Sequence, residues 1–129
     1  MEVDDGDARE LDRVLEALAN THRRAIVYVL GLQPCAINQL AQQRGLSLPA
    51  IHKHVRVLEQ AGLVRRRKVG RTTYLTLQRR PLQQLQDWAG QFHPYWGHDE
   101  ATFENYHDYL GTRPDTEEPE EQADEQEPT

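Results

Sequence analysis

The sequence predicts a mainly α fold carrying one small β-hairpin. Three observations set that expectation. Apolar residues recur at helical spacing in successive short stretches between Leu11 and Leu110. One stretch, 63–77, breaks that rhythm with two runs of strand-forming residues around Val69-Gly70-Arg71. Between the third and fourth helical stretches stand only Gly45, Leu46 and Ser47, a spacing that forces a tight helix–turn–helix.

Each element follows from local chemistry. Leu11, Val14, Leu15 and Leu18 lie on one helical face, which predicts a helix over 8–19 behind an acidic, disordered 1–7. Thr21 is the expected cap of a second helix, with Ile26, Val29 and Leu30 inward and Gly31 near its end. Pro34 breaks the pattern. A third helix buries Ile37, Leu40 and Ala41 and closes at Arg44-Gly45. Ser47 caps the fourth, and Pro49 sits in its first turn, where a missing N–H costs nothing. There Ile51, Val55 and Leu58 share one face, Ala50, Lys53 and Arg56 the opposite one, and His52 and His54 flank; Gly62 ends it. Strands are expected at 63–68 and 72–77. Pro81 opens a fifth helix with Leu82, Leu85, Trp88 and Phe92 on a stripe, interrupted by Pro94 and Gly97. A last helix from about Asp99 carries Phe103, Tyr106, His107 and Leu110. The predicted organisation is therefore 1–7 disordered, 8–110 one folded domain, and 111–129 a disordered acidic tail.

Charge separates the chain into regions. From Arg44 to Arg80 there are ten Lys or Arg and one acid, Glu59; from Asp115 to Glu127 there are eight acids and no Lys or Arg. A basic centre points to an anionic partner, and its basic residues concentrate on two adjacent elements. A helix presenting Lys, His and Arg, followed at once by a basic hairpin, is the layout of a winged helix-turn-helix. Its helix enters a major groove while the hairpin lies on neighbouring phosphates. The acidic tail is expected to act for solubility or, alternatively, to compete with DNA for the basic surface. No apolar run is long enough to span a membrane, the N-terminus has no signal-peptide pattern, and Cys35 is the only cysteine. The expectation is a soluble cytoplasmic protein with no membrane partner.

With these elements in order, the text LANTHRRAIVYVL (18–30) and INQLAQQRGLSLPAIHKHVRVLEQAGLVRRRKVGRTTYLTL (37–77) resembles the ArsR-type winged-helix transcriptional regulators. The matching residues include Leu18, Ala19, Thr21, Arg23, Arg24, Ile26, Ser47, Pro49, Ala50, His54, Leu58, Ala61, Gly62, Leu63, Val64, Gly70, Arg71, Tyr74 and Leu77; Val55 stands where the family usually has Leu. The resemblance covers about 18–90. It implies a homodimer whose first and last helices pack together, binding an inverted-repeat operator in double-stranded DNA and repressing transcription.

The candidate base-edge contacts are Ser47, Pro49, Ala50, His52 and Lys53, in the first turns of the fourth helix. Arg56 is the candidate phosphate contact one turn on. His54 is either structural or phosphate-contacting. In the wing, Arg65, Arg67 and Arg71 are the first choices for phosphate or minor-groove contact; Arg66 and Lys68 fall on the other face of the strand, whose register the sequence leaves open.

Many members of the resembled family sense metals. One family site uses Cys-x-Cys on the third helix, where this chain has Cys35 alone; another uses Asp-x-His on the last long helix, where Asp87-Trp88-Ala89 lacks the His. His93, His98, Glu104 and His107 remain as scattered candidates. The expectation is no bound metal and no cofactor, with any small-molecule or metal effector unknown. The alternatives are a metal- or redox-responsive repressor of the same family, or a winged-helix protein-interaction module. No Ser-His-Asp, Cys-His or phosphate-loop pattern suggests an enzyme.

Overall fold

The computed structural model describes residues 5–113, which divide into two compact units meeting at Gln91 and Phe92. The expectations for residues 1–4 and 114–129 lie outside the described residues.

The first unit combines α1 (Asp5–Leu18), α2 (Thr21–Leu32), α3 (Ile37–Arg44), α4 (Leu48–Gln60) and α5 (Arg80–Ala89) with a three-stranded antiparallel sheet, on which α2, α3 and α4 pack. Its strands β1 (Cys35–Ala36), β2 (Val64–Val69) and β3 (Thr72–Leu77) lie in the order β1-β3-β2. α1 begins at Asp5 rather than residue 8: Asp5 and Asp7 fall in its first turn, where carboxylates complement the exposed N–H groups. α2 is capped by Asn20, not Thr21. Asn20 holds the extended backbone a cap requires, and its Oδ1 accepts from the Arg23 N–H at 3.1 Å. β2 runs one residue later than expected, because Leu63 is spent in the turn that leaves α4.

One core joins these elements. Val14, Ile26, Leu40, Ile51, Val55, Leu58, Leu63 and Leu75 are its largest fully buried side chains, each contributing about 1.5–3 kcal/mol by leaving water. Every helix from α1 to α4 supplies at least one residue to this core, while α5 packs on α1 and adds the partly buried Leu82. α5 ends at Ala89, so the predicted stripe stops at Trp88 and Phe92 falls in the second unit.

Two glycines set the corners on either side of α4. Gly45 (φ 65°) closes α3: its N–H reaches the Gln42 carbonyl at 3.2 Å and the Leu46 N–H reaches Ala41 at 2.9 Å. Gly62 (φ 77°) repeats this after α4, with Gly62 to Glu59 and Leu63 to Leu58, both 2.9 Å. Both are Schellman closures, which need a left-handed residue at that point.

In the second unit, a 3-10 turn (Asp99–Ala101) leads into α6 (Thr102–Thr112). Helix thus continues past residue 110, where disorder was expected to begin. Trp96 meets Tyr106 edge-on, with ring centroids 5.0 Å apart, and lies 5.2 Å from Tyr109.

Candidate nucleic-acid interface

The placement of α4 follows from its buried face. Ile51, Val55 and Leu58 are fully enclosed, which fixes the helix's rotation about its axis. Lys53 and Arg56, on the opposite side, are therefore exposed, and Ala50 is half-buried. Ser47 accepts the Ala50 N–H at 3.3 Å and, with Pro49, starts the helix. Of the residues proposed for base edges, Ser47, Pro49 and Lys53 are exposed, while Ala50 and His52 are half-buried.

The wing's register settles which cations share a face. Arg66 pairs with Leu75, and Arg65 and Arg67 pair with Thr76 and Tyr74. Directly paired residues point to the same side of a sheet, so Arg66 follows buried Leu75 toward the core. There its Nε donates to Glu59 Oε2 at 2.9 Å and its Nη1 to His52 Nδ1 at 3.3 Å. The one acid of the basic segment thus ties β2 to α4, and His52 is held between reading helix and wing. Arg65, Arg67, Lys68 and Arg71 are all exposed. They do not form one cluster. Arg71 sits in the hairpin turn, whereas Arg65 stands near the root of β2, about 13 Å along the strand from Val69 at 3.3 Å per residue.

His54 lies on the protected flank of α4. Arg23 Nη1 donates to its Nδ1 at 3.3 Å, and the His22 ring centroid is 5.5 Å away. Arg44 in turn donates to His22 Nδ1 at 3.2 Å. Burial, and then the positive charges of Arg23, His22 and Lys53, push the His54 pKa below its ordinary value. This geometry supports the structural reading of His54: a neutral ring whose Nδ1 accepts from Arg23.

Arg23 does a second thing that the sequence reading missed. Its Nε donates to the Ala17 carbonyl at 2.6 Å and its Nη2 to Glu16 at 3.2 Å, while Arg24 reaches Leu18 at 2.8 Å. α1 has no basic residue in its own last turn, so two arginines from α2 satisfy its terminal carbonyls. The basic pair at the start of α2, directly after a helix lacking a basic end, was the available signal.

Among the described residues no three His, Cys, Asp or Glu gather as a metal ion would require. In the second unit His93 tilts against Tyr95 and His107 stacks on Phe103. Cys35 is buried, its thiol donates to Gln39 Oε1 at 3.5 Å, and burial pushes its pKa up, which disfavours the reactive thiolate. No described helix is long and apolar enough to cross a membrane.

A tight α3–turn–α4 pair with an exposed basic face, followed by a basic hairpin on the same sheet, defines a winged helix-turn-helix protein. Comparison with known proteins agrees. A family model described as a helix-turn-helix domain matches residues 18–67. The HTH-type transcriptional regulator Rv2034 of Mycobacterium tuberculosis is 44% identical over 62 residues, 48% of this chain and 58% of that protein. A crystal structure of a possible transcriptional regulator for arsenical resistance is 36% identical, with 73% of this chain and 93% of that one covered at a TM-score of 0.56. An ArsR-like transcriptional regulator from Rhodococcus sp. RHA1 is 30% identical, covering 67% and 81% at a TM-score of 0.60. The chain spans a little over half the length of the curated relatives it matches. It belongs to the ArsR-type winged helix-turn-helix family of transcriptional regulators.

Proposed function

We propose that this chain is a sequence-specific DNA-binding repressor, acting in the cytoplasm as a homodimer on an inverted-repeat operator and needing no bound metal. One observation carries the reading. Burial of Ile51, Val55 and Leu58 turns Lys53 and Arg56 to solvent on the helix that follows a tight turn, beside a wing with exposed Arg67, Lys68 and Arg71. On this reading Ser47, Pro49, Ala50 and Lys53 meet base edges, with Pro49 and Ala50 suited to a thymine methyl and Lys53 to guanine acceptors. Arg56, Arg67 and Arg71 neutralise phosphates, which set orientation and most of the affinity. His52 contributes from the flank, oriented by Arg66. Arg65 stands furthest from the wing tip and adds to the positive field. A homodimer presents two reading helices to one side of the duplex, matching an inverted repeat.

The test is binding to the DNA upstream of the chain's own gene against random duplex, with and without zinc and with chelator. Preference for the upstream DNA, unchanged by zinc or chelator, supports the reading. Release by zinc would instead make the protein a metal-responsive repressor, and no preference over random duplex would favour a protein-interaction module.

A further inference from the structure

A cleft of about 330 Å³ opens on the first unit between α1, the turn from α4 into β2, and the start of α5. Arg13, Arg65 and Arg80 line it, from three different elements, together with the amides of Gln60, Gln78 and Gln84. Its one acid, Glu10, already accepts from Gln84 Nε2 at 3.1 Å. The three guanidiniums make no side-chain hydrogen bond or ion pair with other described residues. The cleft therefore holds a formal surplus of positive charge in a concave site at the small end of the range for ligand pockets. Guanidiniums are the side chains best matched to planar carboxylate and to phosphate, which they engage by two parallel hydrogen bonds.

We propose that this cleft binds a small polyanion bearing carboxylate or phosphate groups, and that its occupancy weakens DNA binding. The second half rests on the function proposed above. A duplex read by the first turns of α4 does not fill the cleft, because Gln60 marks the far end of that helix, about 20 Å away at 1.5 Å per residue. Arg65 is the link. It is the second residue of the strand that ends at the wing tip. An anion held by Arg13, Arg65 and Arg80 cancels charge at the root of the wing and ties that root to α1 and α5, so the ligand and the duplex oppose each other.

The experiment is calorimetric titration of the full chain with citrate and, separately, pyrophosphate, each at ionic strength matched with potassium chloride. Saturable binding is expected for at least one probe, about tenfold or more weaker in the double variant Arg13→Ala/Arg80→Ala. The tighter probe assigns the site to carboxylate or to phosphate ligands. Both residues are exposed and lie outside the proposed DNA surface, so the double variant keeps its folded spectrum, and its DNA affinity without the probe is the baseline against which the probe is read. The bound probe should weaken DNA binding by the wild type and not by the double variant. Heats equal to those of chloride, or binding undiminished in the double variant, would overturn the site. Anion binding with unchanged DNA affinity would overturn its regulatory role. If the wild type bound the anion but no DNA, the proposed function would fail while the site stood.

Discussion

Replacing Arg23 tests whether the start of α2 locks α1 and the reading helix in place. Arg23→Ala removes the donors to the Ala17 and Glu16 carbonyls and to His54. A hydrogen bond from a charged donor contributes about 1.5–3 kcal/mol when well enclosed. Here the bond to Ala17 is half-enclosed and that to Glu16 is exposed, so screening and competing water take a large share. The net loss works out at about 2 kcal/mol, with the interaction of the cation and the α1 carbonyl end included. In urea unfolding that corresponds to a midpoint lower by about 1 M, given the slope usual for a chain of this size. Arg23→Lys restores only part of it, because an ammonium cannot fork across two carbonyls and an imidazole. The variant also changes how stability varies with pH. His54 is held below its ordinary pKa, so the folded chain releases a proton that the unfolded chain keeps. Stability from this group is then complete above pH about 6.5 and is lost as pH falls through that value toward the folded pKa. Removing Arg23 takes away one of the charges responsible, so the variant loses less stability than the wild type on acidification. A midpoint within about 0.2 M of wild type, with an unchanged pH profile, would refute the reasoning.

The remaining predictions concern the same helix and its neighbours. His54→Asn is expected to flatten the loss of stability predicted for the wild type between pH 7 and pH 5, with urea midpoints as the measure; an undiminished slope would assign that loss to another group. Ser47→Ala costs about 1 kcal/mol by leaving the Ala50 N–H without its cap, measured by the same melts, while Ser47→Asp retains most of the stability. A double-mutant cycle on Glu59→Gln and Arg66→Ala yields a coupling of about 0.5–1 kcal/mol, since both side chains remain about one-third exposed; zero coupling would mean the wing is not tied to α4 through this pair.

The legible parts of the fold were those written in local pattern. Ile51, Val55 and Leu58 at helical spacing, bracketed by a capping Ser47 and a terminating Gly62, specify both the extent of α4 and the face it exposes. What the sequence left open was set by tertiary register. β1 is two residues long and exists only because Cys35 and Ala36 meet Leu75 and Tyr74 on β3. Strand alternation already set Arg66 and Lys68 apart from Arg65, Arg67 and Arg71 in the sequence, but the register was open. The pairing of Arg66 with Leu75 turns that one inward to Glu59 and leaves Arg67 and Arg71 outside. Asn20 and Thr21 are both competent caps, and only the extended backbone at Asn20 selects between them. The arginine cleft had no sequence signal, because Arg13, Arg65 and Arg80 come from separate elements and share no periodicity.

The most direct test of the account is the salt dependence of DNA binding by the wild type and by Arg71→Ala, on upstream and on random duplex. Arg71 is exposed at the wing turn and is assigned to phosphate. A DNA-binding wing predicts a steep slope of log affinity against log salt, with each phosphate contact contributing about −0.9. Arg71→Ala should reduce the steepness by about two in a homodimer and weaken both duplexes alike, leaving the preference for upstream DNA in place. A shallow slope in the wild type, or a variant indistinguishable from it, would contradict a DNA-binding role for this surface.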